Sequence, residues 1–338
     1  MQIKPQGEIS ELIFIFEKEE MVHNILFVLG FAFLVKGADW LVEGSKAVAR
    51  RFGISDFVIG LTVVSLGTSL PELLVNLNAV LGGNSGLAVG TIVGSNISNV
   101  LLILGISAIV RPIKVERKAV KYEIPFNLMA ALLLGFLANT SLGGLDAPNQ
   151  LSRLDGAFLV LFFVLFLRFI FQSSKEELQK TDKAIDTEHL GKSMAWIVVG
   201  ALALFLGGQW VVDGAKRIAV SWAWSEELVG LSILAIGTSL PELVTSAVAA
   251  YKNNADIALA NVLGSNIFNI LWVLGFCSLI HPFDFEKMVN LDLAVFAGAI
   301  LLVFLSLLYG KKQSLDRWNG IKFLLFYAAY LTYVLVRG

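Results

Sequence analysis

A chain of 338 residues with 56% hydrophobic and only 16% charged positions is too apolar for an ordinary soluble domain. The single cysteine, Cys277, excludes a disulfide framework or a thiolate metal site, and a formal net charge of −1 gives no reason to expect a nucleic-acid partner. The charges are segregated, collecting near Arg111 to Lys121 and Gln172 to Lys192. Between such runs lie apolar blocks of roughly 17 to 25 residues, the length that crosses about 30 Å of hydrocarbon.

In chain order, residues 1–21 carry Glu8, Glu11, Glu17, Glu19 and Glu20, the wrong charge for the start of a cleavable signal, and read as an extracellular tail. Five spans follow, at 22–49, 57–81, 87–110, 122–138 and 156–171. A polar linker at 172–192 separates them from five more, at 193–219, 227–251, 256–280, 290–309 and 320–336. In the first span Lys36 and Asp39 lie three apart and are placed to pair with each other. The second span holds Gly67-Thr68-Ser69-Leu70-Pro71-Glu72-Leu73, and the third holds Gly94-Ser95-Asn96-Ile97 followed by Asn99. Both recur without a gap 170 residues later, as Gly237 to Leu243 and as Gly264-Ser265-Asn266-Ile267 with Asn269. Trp40 and Trp210, Gly44 and Gly214, Gly60 and Gly230, and Pro112 and Pro282 keep the same offset.

The expected fold is therefore an all-α membrane protein of ten transmembrane helices, built as two inverted five-helix repeats with broken helices at the centre. An odd number of spans between the copies forces the halves, 22–171 and 193–338, into opposite orientations. With the N-terminus outside, the inner loops hold 16 Lys and Arg residues and the outer segments 7, which favours both termini outside and a cytoplasmic linker. A proline-broken polar element repeated in two halves of a membrane protein points to a transport site.

The residues of that element explain why. Pro71 and Pro241 each remove a backbone donor, freeing carbonyls around Thr68 and Thr238 that membrane depth tolerates only beside a cavity or a partner. One residue further on, Glu72 and Glu242 add carboxylates, completing an all-oxygen environment suited to a hard cation such as calcium. One copy alone would read equally as a capping box from Ser69 to Glu72. Two glutamates at matching depth, each costing about 2.5 kcal/mol or more to insert, read as a functional site. Ser95 and Asn99 share a helix face, as do Ser265 and Asn269, and line the cavity opposite the broken helices. Gly94 and Gly264 should let a neighbouring helix approach. Asn96 and Asn266, one position off that face, read as packing or backbone-capping residues.

At these motifs the chain resembles the calcium/cation antiporter superfamily, and most of all its prokaryotic sodium/calcium exchangers. The resemblance covers residues 22–336, and the segments 60–105 and 230–275 match the family's two α-repeats. It implies that Glu72 and Glu242 are the central calcium ligands, joined by the carbonyls of Thr68 and Thr238. Ser69, Ser95, Ser239 and Ser265 match residues lining flanking sodium sites, with Asn99 and Asn269 at the middle of the cavity. The Gly-Asn-x-x-Glu motif of the sister proton/calcium antiporters is absent. The potassium-dependent branch carries Asp where this chain has Asn269, which argues against potassium coupling.

The expected function is thus a secondary antiporter that exports calcium against inward sodium from the inner (plasma) membrane of a prokaryotic cell, with no enzyme activity and no cofactor. Its partners are calcium, sodium and membrane lipid, with no obligatory protein partner. A proton/calcium antiporter is the nearest rival, since paired carboxylates also bind protons. A calcium channel using the glutamates as a selectivity ring is a further one.

Overall fold

The computed structural model describes residues 6–82, 85–115, 119–140, 149–178, 190–222, 235–309 and 313–337. Helix α1 (Gln6–Phe52) is continuous, so the chain expected as a tail enters the first span as helix from Gln6 onward. α2 (Asp56–Thr68) and α3 (Leu70–Leu81) meet at a bend of 46°. α4 runs from Ser85–Ser98 through a π-helical turn at Asn99–Ile103 into Leu104–Val110. α5 is Ala119–Thr140 and α6 is Arg153–Leu178. In the second half come α7 (Leu190–Ser221), a short turn at Ala235–Gly237, and α8 (Leu240–Tyr251). α9 (Ala255–Ile280) contains a π-helical turn at Phe268–Leu274, and α10 (Val289–Tyr309) and α11 (Arg317–Arg337) complete the chain. Among the described residues, eight helices are long and apolar enough to cross a membrane, or nine if the bent α2–α3 pair is one span. The first part of the expected span at 227–251 lies outside the described residues, as does most of the linker.

Prolines end α4 and α9 for a shared reason. The residue before proline is barred from helical torsions, and Arg111 (φ −152°, ψ 132°) and His281 (φ −143°, ψ 117°) are both extended. Each leads into a two-residue strand, β1 (Ile113–Lys114) and β3 (Phe283–Asp284). These pair antiparallel with strands from the opposite half: β1 with β4 (Ser314–Leu315), and β3 with β2 (Gln150–Leu151). Corresponding elements of the halves thus exchange partners.

The long helices α1 and α7 form a tight antiparallel pair. Glycines recur every seventh residue at Gly30, Gly37 and Gly44, and again at Gly200, Gly207 and Gly214. A Cβ on Gly37 would lie 2.8 Å from the Gly200 carbonyl oxygen, and one on Gly207 2.7 Å from that of Gly30, so the seam admits no side chain. Leu34, Leu41, Leu204 and Val211 of this pair pack on Ile59, Val64, Ala249 and Ile257. A larger core around Ile92, Phe166, Phe285 and Phe296 joins the remaining helices. α9 is the innermost, with 94% of its most apolar window buried against 17% for α11. Polar residues on α9 therefore face protein, not lipid.

Candidate cation-binding site

The two helix breaks have nearly the same backbone. Ser69 has φ −87° and ψ 7°, Ser239 has φ −88° and ψ 3°, and each precedes a helix with proline in its first turn. Pro71 has no N–H to offer the carbonyl of Gly67, and Pro241 none for Gly237. The chain stays ordered around the gap, since Leu73 N donates to Ser69 O at 3.2 Å and Leu243 N to Ser239 O at 2.9 Å. Glu72 and Glu242 are thereby fixed in the first turn of α3 and of α8, and neither has any solvent exposure.

Hydrogen bonds within and across the halves tie the predicted residues together. Ser69 Oγ donates to Glu242 Oε1 at 3.1 Å, and Ser95 Oγ to Glu72 Oε1 at 3.4 Å. Ser95 Oγ lies 3.0 Å from Ser239 Oγ, and Thr68 Oγ1 lies 3.5 Å from Ser265 Oγ. Thr238 sits beside Ser239, and its Oγ1 has no hydrogen-bond partner. Asn99 and Asn269 are fully buried, each at the start of or within one of the four π-helical turns among the described residues, the kind of local widening that recurs at functional sites. α3 packs against the turn carrying Asn269, and α8 against the turn carrying Asn99.

Besides Thr238 Oγ1, four oxygens of the predicted residues, Glu72 Oε2, Glu242 Oε2, Asn99 Oδ1 and Asn269 Oδ1, are among the buried side-chain atoms that have no hydrogen-bond partner, as Asn76 Oδ1, Asn127 Oδ1 and Asp155 Oδ1 also are. A buried polar atom left unsatisfied costs about 1–3 kcal/mol, more when charged. Among the described residues no lysine or arginine pairs with either glutamate. Nor do three or more His, Cys, Asp or Glu side chains cluster anywhere among them, so a transition-metal site is not the fit. Two carboxylates with neutral carbonyl and hydroxyl oxygens match the ligand set of a hard cation.

Other intramembrane charges are accounted for separately. Asp39 pairs with Lys252, in the turn after α8, and not with Lys36 as the spacing suggested. Glu43 joins them, 3.3 Å from the same ammonium group. Burial and the nearby Lys36 lower the pKa of Lys252 from its ordinary value, opposing the pull of these carboxylates. Asp292, near the start of α10, is held by Arg337 at 2.9 Å and by the Tyr330 hydroxyl at 3.2 Å.

Three residues of the site escape the sequence pattern. Asn261 accepts from Thr68 Oγ1 at 3.2 Å and donates to Ser246 Oγ at 3.0 Å. Its signal was present: it lies one helical turn before Ser265, and its counterpart is Thr91, also polar. Asn96 and Asn266 do more than pack, since they bond to the side chains of Asn269 and Asn99 at 3.0 Å each. The glycines divide. A Cβ on Gly264 would strike Ser65 and the carbonyl of Leu61, whereas Gly94 has nothing within 4 Å among the described residues.

Comparison with known proteins identifies the family. A family model described as sodium/calcium exchanger protein matches residues 23–172 and 192–336. Sodium/calcium exchanger MaX1 of Methanosarcina acetivorans is 30% identical over 92% of this chain and 97% of its own. Ca(2+)/H(+) antiporter ChaA of Bacillus subtilis is 25% identical over 72% of this chain and 74% of its own. A solved structure of the sodium-calcium exchanger NCX_Mj superposes with a TM-score of 0.79, at 33% identity, over 93% of this chain and 99% of that one. The chain belongs to the sodium/calcium exchanger protein family, and it is a membrane transporter.

Proposed function

We propose that this member of the sodium/calcium exchanger family moves calcium out of a prokaryotic cell in exchange for sodium, by alternating access around the paired glutamates. The observation that carries the reading is the set of four unpartnered buried oxygens, two of them carboxylate, drawn from both copies of the repeated motif. In this reading Glu72 and Glu242 bind calcium with the carbonyls of Thr68 and Thr238. Ser69, Ser95, Ser239 and Ser265 line sodium positions beside it, and Asn99 and Asn269 supply neutral oxygens. No covalent step and no cofactor are involved.

The scaffold in this proposal is two inverted five-span repeats, 22–171 and 193–338, with both termini outside and the 172–192 linker in the cytoplasm. The antiparallel packing of α1 on α7 and the partner exchange of the short strands support it, because each relates elements offset by 170 residues or nearly so. Single-chain relatives support a protein that works without an obligatory partner.

Calcium uptake into vesicles containing the purified protein tests the coupling. An outward sodium gradient should drive uptake, while an imposed pH gradient or potassium should not. Uptake driven by the pH gradient would replace sodium with protons in the proposal, and flux indifferent to every counter-ion gradient would point to a channel.

A further inference from the structure

An asparagine side chain has a donating end and an accepting end, so it serves a cation only when its oxygen faces the ion. Which end faces is decided by what holds the other. Asn269 gives its amide nitrogen to Asn96 Oδ1 at 3.0 Å, and its own Oδ1 is the unpartnered atom. Asn96 is held in turn: its amide nitrogen donates to the backbone carbonyl of Asn266 at 3.2 Å. A carbonyl only accepts. The direction of the whole chain of bonds is therefore set by backbone and ends with the Asn269 oxygen turned away from its clamp.

Asn99 likewise donates its amide nitrogen to Asn266 Oδ1 at 3.0 Å, but the Asn266 amide nitrogen has no hydrogen-bond partner, so this second clamp lacks the backbone anchor of the first. Both clamps join the first motif to the second, and all four asparagines are completely buried, so water does not compete for either amide. We propose that Asn96 and Asn266 are positioning residues: they fix the amides of Asn269 and Asn99 so that oxygen, not NH2, is presented to the transported cation. This rests on the reading that the unpartnered oxygens bind calcium.

A double-variant cycle in calcium binding, run by titration calorimetry on the full chain in detergent, tests the assignment. Asn96→Ala should weaken calcium binding about tenfold, the size of one charge-assisted contact. In an Asn269→Asp background the same substitution should change binding less than about twofold, because a carboxylate presents oxygen at either end and needs no orientation. A purely structural role predicts an equal loss in both backgrounds, and that result would overturn the proposal. So would an Asn96→Ala protein that binds calcium as the wild type does. If Asn96→Ala does not insert and fold, the mirror cycle of Asn266→Ala with Asn99→Asp reads the same quantity. Glu72→Gln, measured alongside, separates the two levels of argument. Unchanged binding in that variant refutes the site itself, whereas lost binding there with an inert Asn96→Ala refutes only the clamp.

Discussion

Replacing Glu72 or Glu242 with glutamine removes one charge and keeps the shape, which makes it the sharpest probe of the site. Each carboxylate already spends Oε1 on a serine hydroxyl, from Ser95 and Ser69 respectively, and leaves Oε2 for the ion. In a glutamine the remaining oxygen keeps the serine bond, so the NH2 group falls where Oε2 stood. The ion loses a ligand and meets a donor. A divalent ion and a carboxylate about 4 Å apart attract by roughly 8 kcal/mol at an effective dielectric near 20. Taking the carboxylate out of water offsets several kcal/mol of that. At least about 3 kcal/mol should remain, a loss of 100-fold or more in calcium affinity. Calcium binding by calorimetry and sodium-driven calcium uptake in vesicles should both show it, with an unaltered elution profile demonstrating that the variants fold. Either variant holding calcium within about threefold of wild type would refute the assignment of these carboxylates as ligands.

Asn269→Asp should make calcium exchange newly dependent on pH or on potassium, since a third carboxylate takes up a proton or a further monovalent ion, while the wild type ignores potassium. Unchanged ion dependence in vesicle flux would show that residue 269 does not face the ions. Gly37→Val should destabilise the protein by about 1–3 kcal/mol or prevent its assembly, because the α1–α7 seam leaves no room for a side chain; a thermal unfolding midpoint equal to wild type would contradict the close packing. The native Cys277 is buried, so single cysteines introduced at Ser174, Ser85 and Tyr251 can be labelled against a quiet background. Positions 174 and 251 should react with an impermeant reagent only from the cytoplasm and position 85 only from outside; labelling of 85 and 251 from the same face would dismiss the inverted arrangement.

The helix breaks that carry the two glutamates were legible because their chemistry is local. Pro71 and Pro241 break a helix wherever they stand, and the torsions of Ser69 and Ser239 agree to within a few degrees, as two identical heptapeptides should. What was not legible depended on contacts between distant segments. Helical spacing placed Asn96 and Asn266 off the polar face, yet their partners come from the opposite motif, and no single-helix projection shows them. The π-helical turns at Asn99–Ile103 and Phe268–Leu274 also depart from the 3.6-residue period on which that projection rests. Spacing along the helix offers Lys36 as a partner for Asp39, whereas the turn after α8 supplies Lys252 instead.

The same arrangement explains why a site of this kind exchanges ions and does not leak them. Its two carboxylates have no cationic side chain to neutralise them among the described residues, so bound metal ions or protons must supply their counter-charge. Two bare carboxylates about 5 Å apart at an effective dielectric near 20 repel by roughly 3 kcal/mol, before any cost of leaving water. Closing the empty site around them is unfavourable by at least that amount. On the proposed reading, one calcium ion, or two or more sodium ions, would cancel the repulsion and engage Glu72 Oε2, Glu242 Oε2 and the amide oxygens, which lack a hydrogen-bond partner. The loaded forms can therefore occlude and reorient, while the empty form waits on whichever side it last faced. On the proposed reading, obligatory exchange follows from the charge of the site and needs no separate gate.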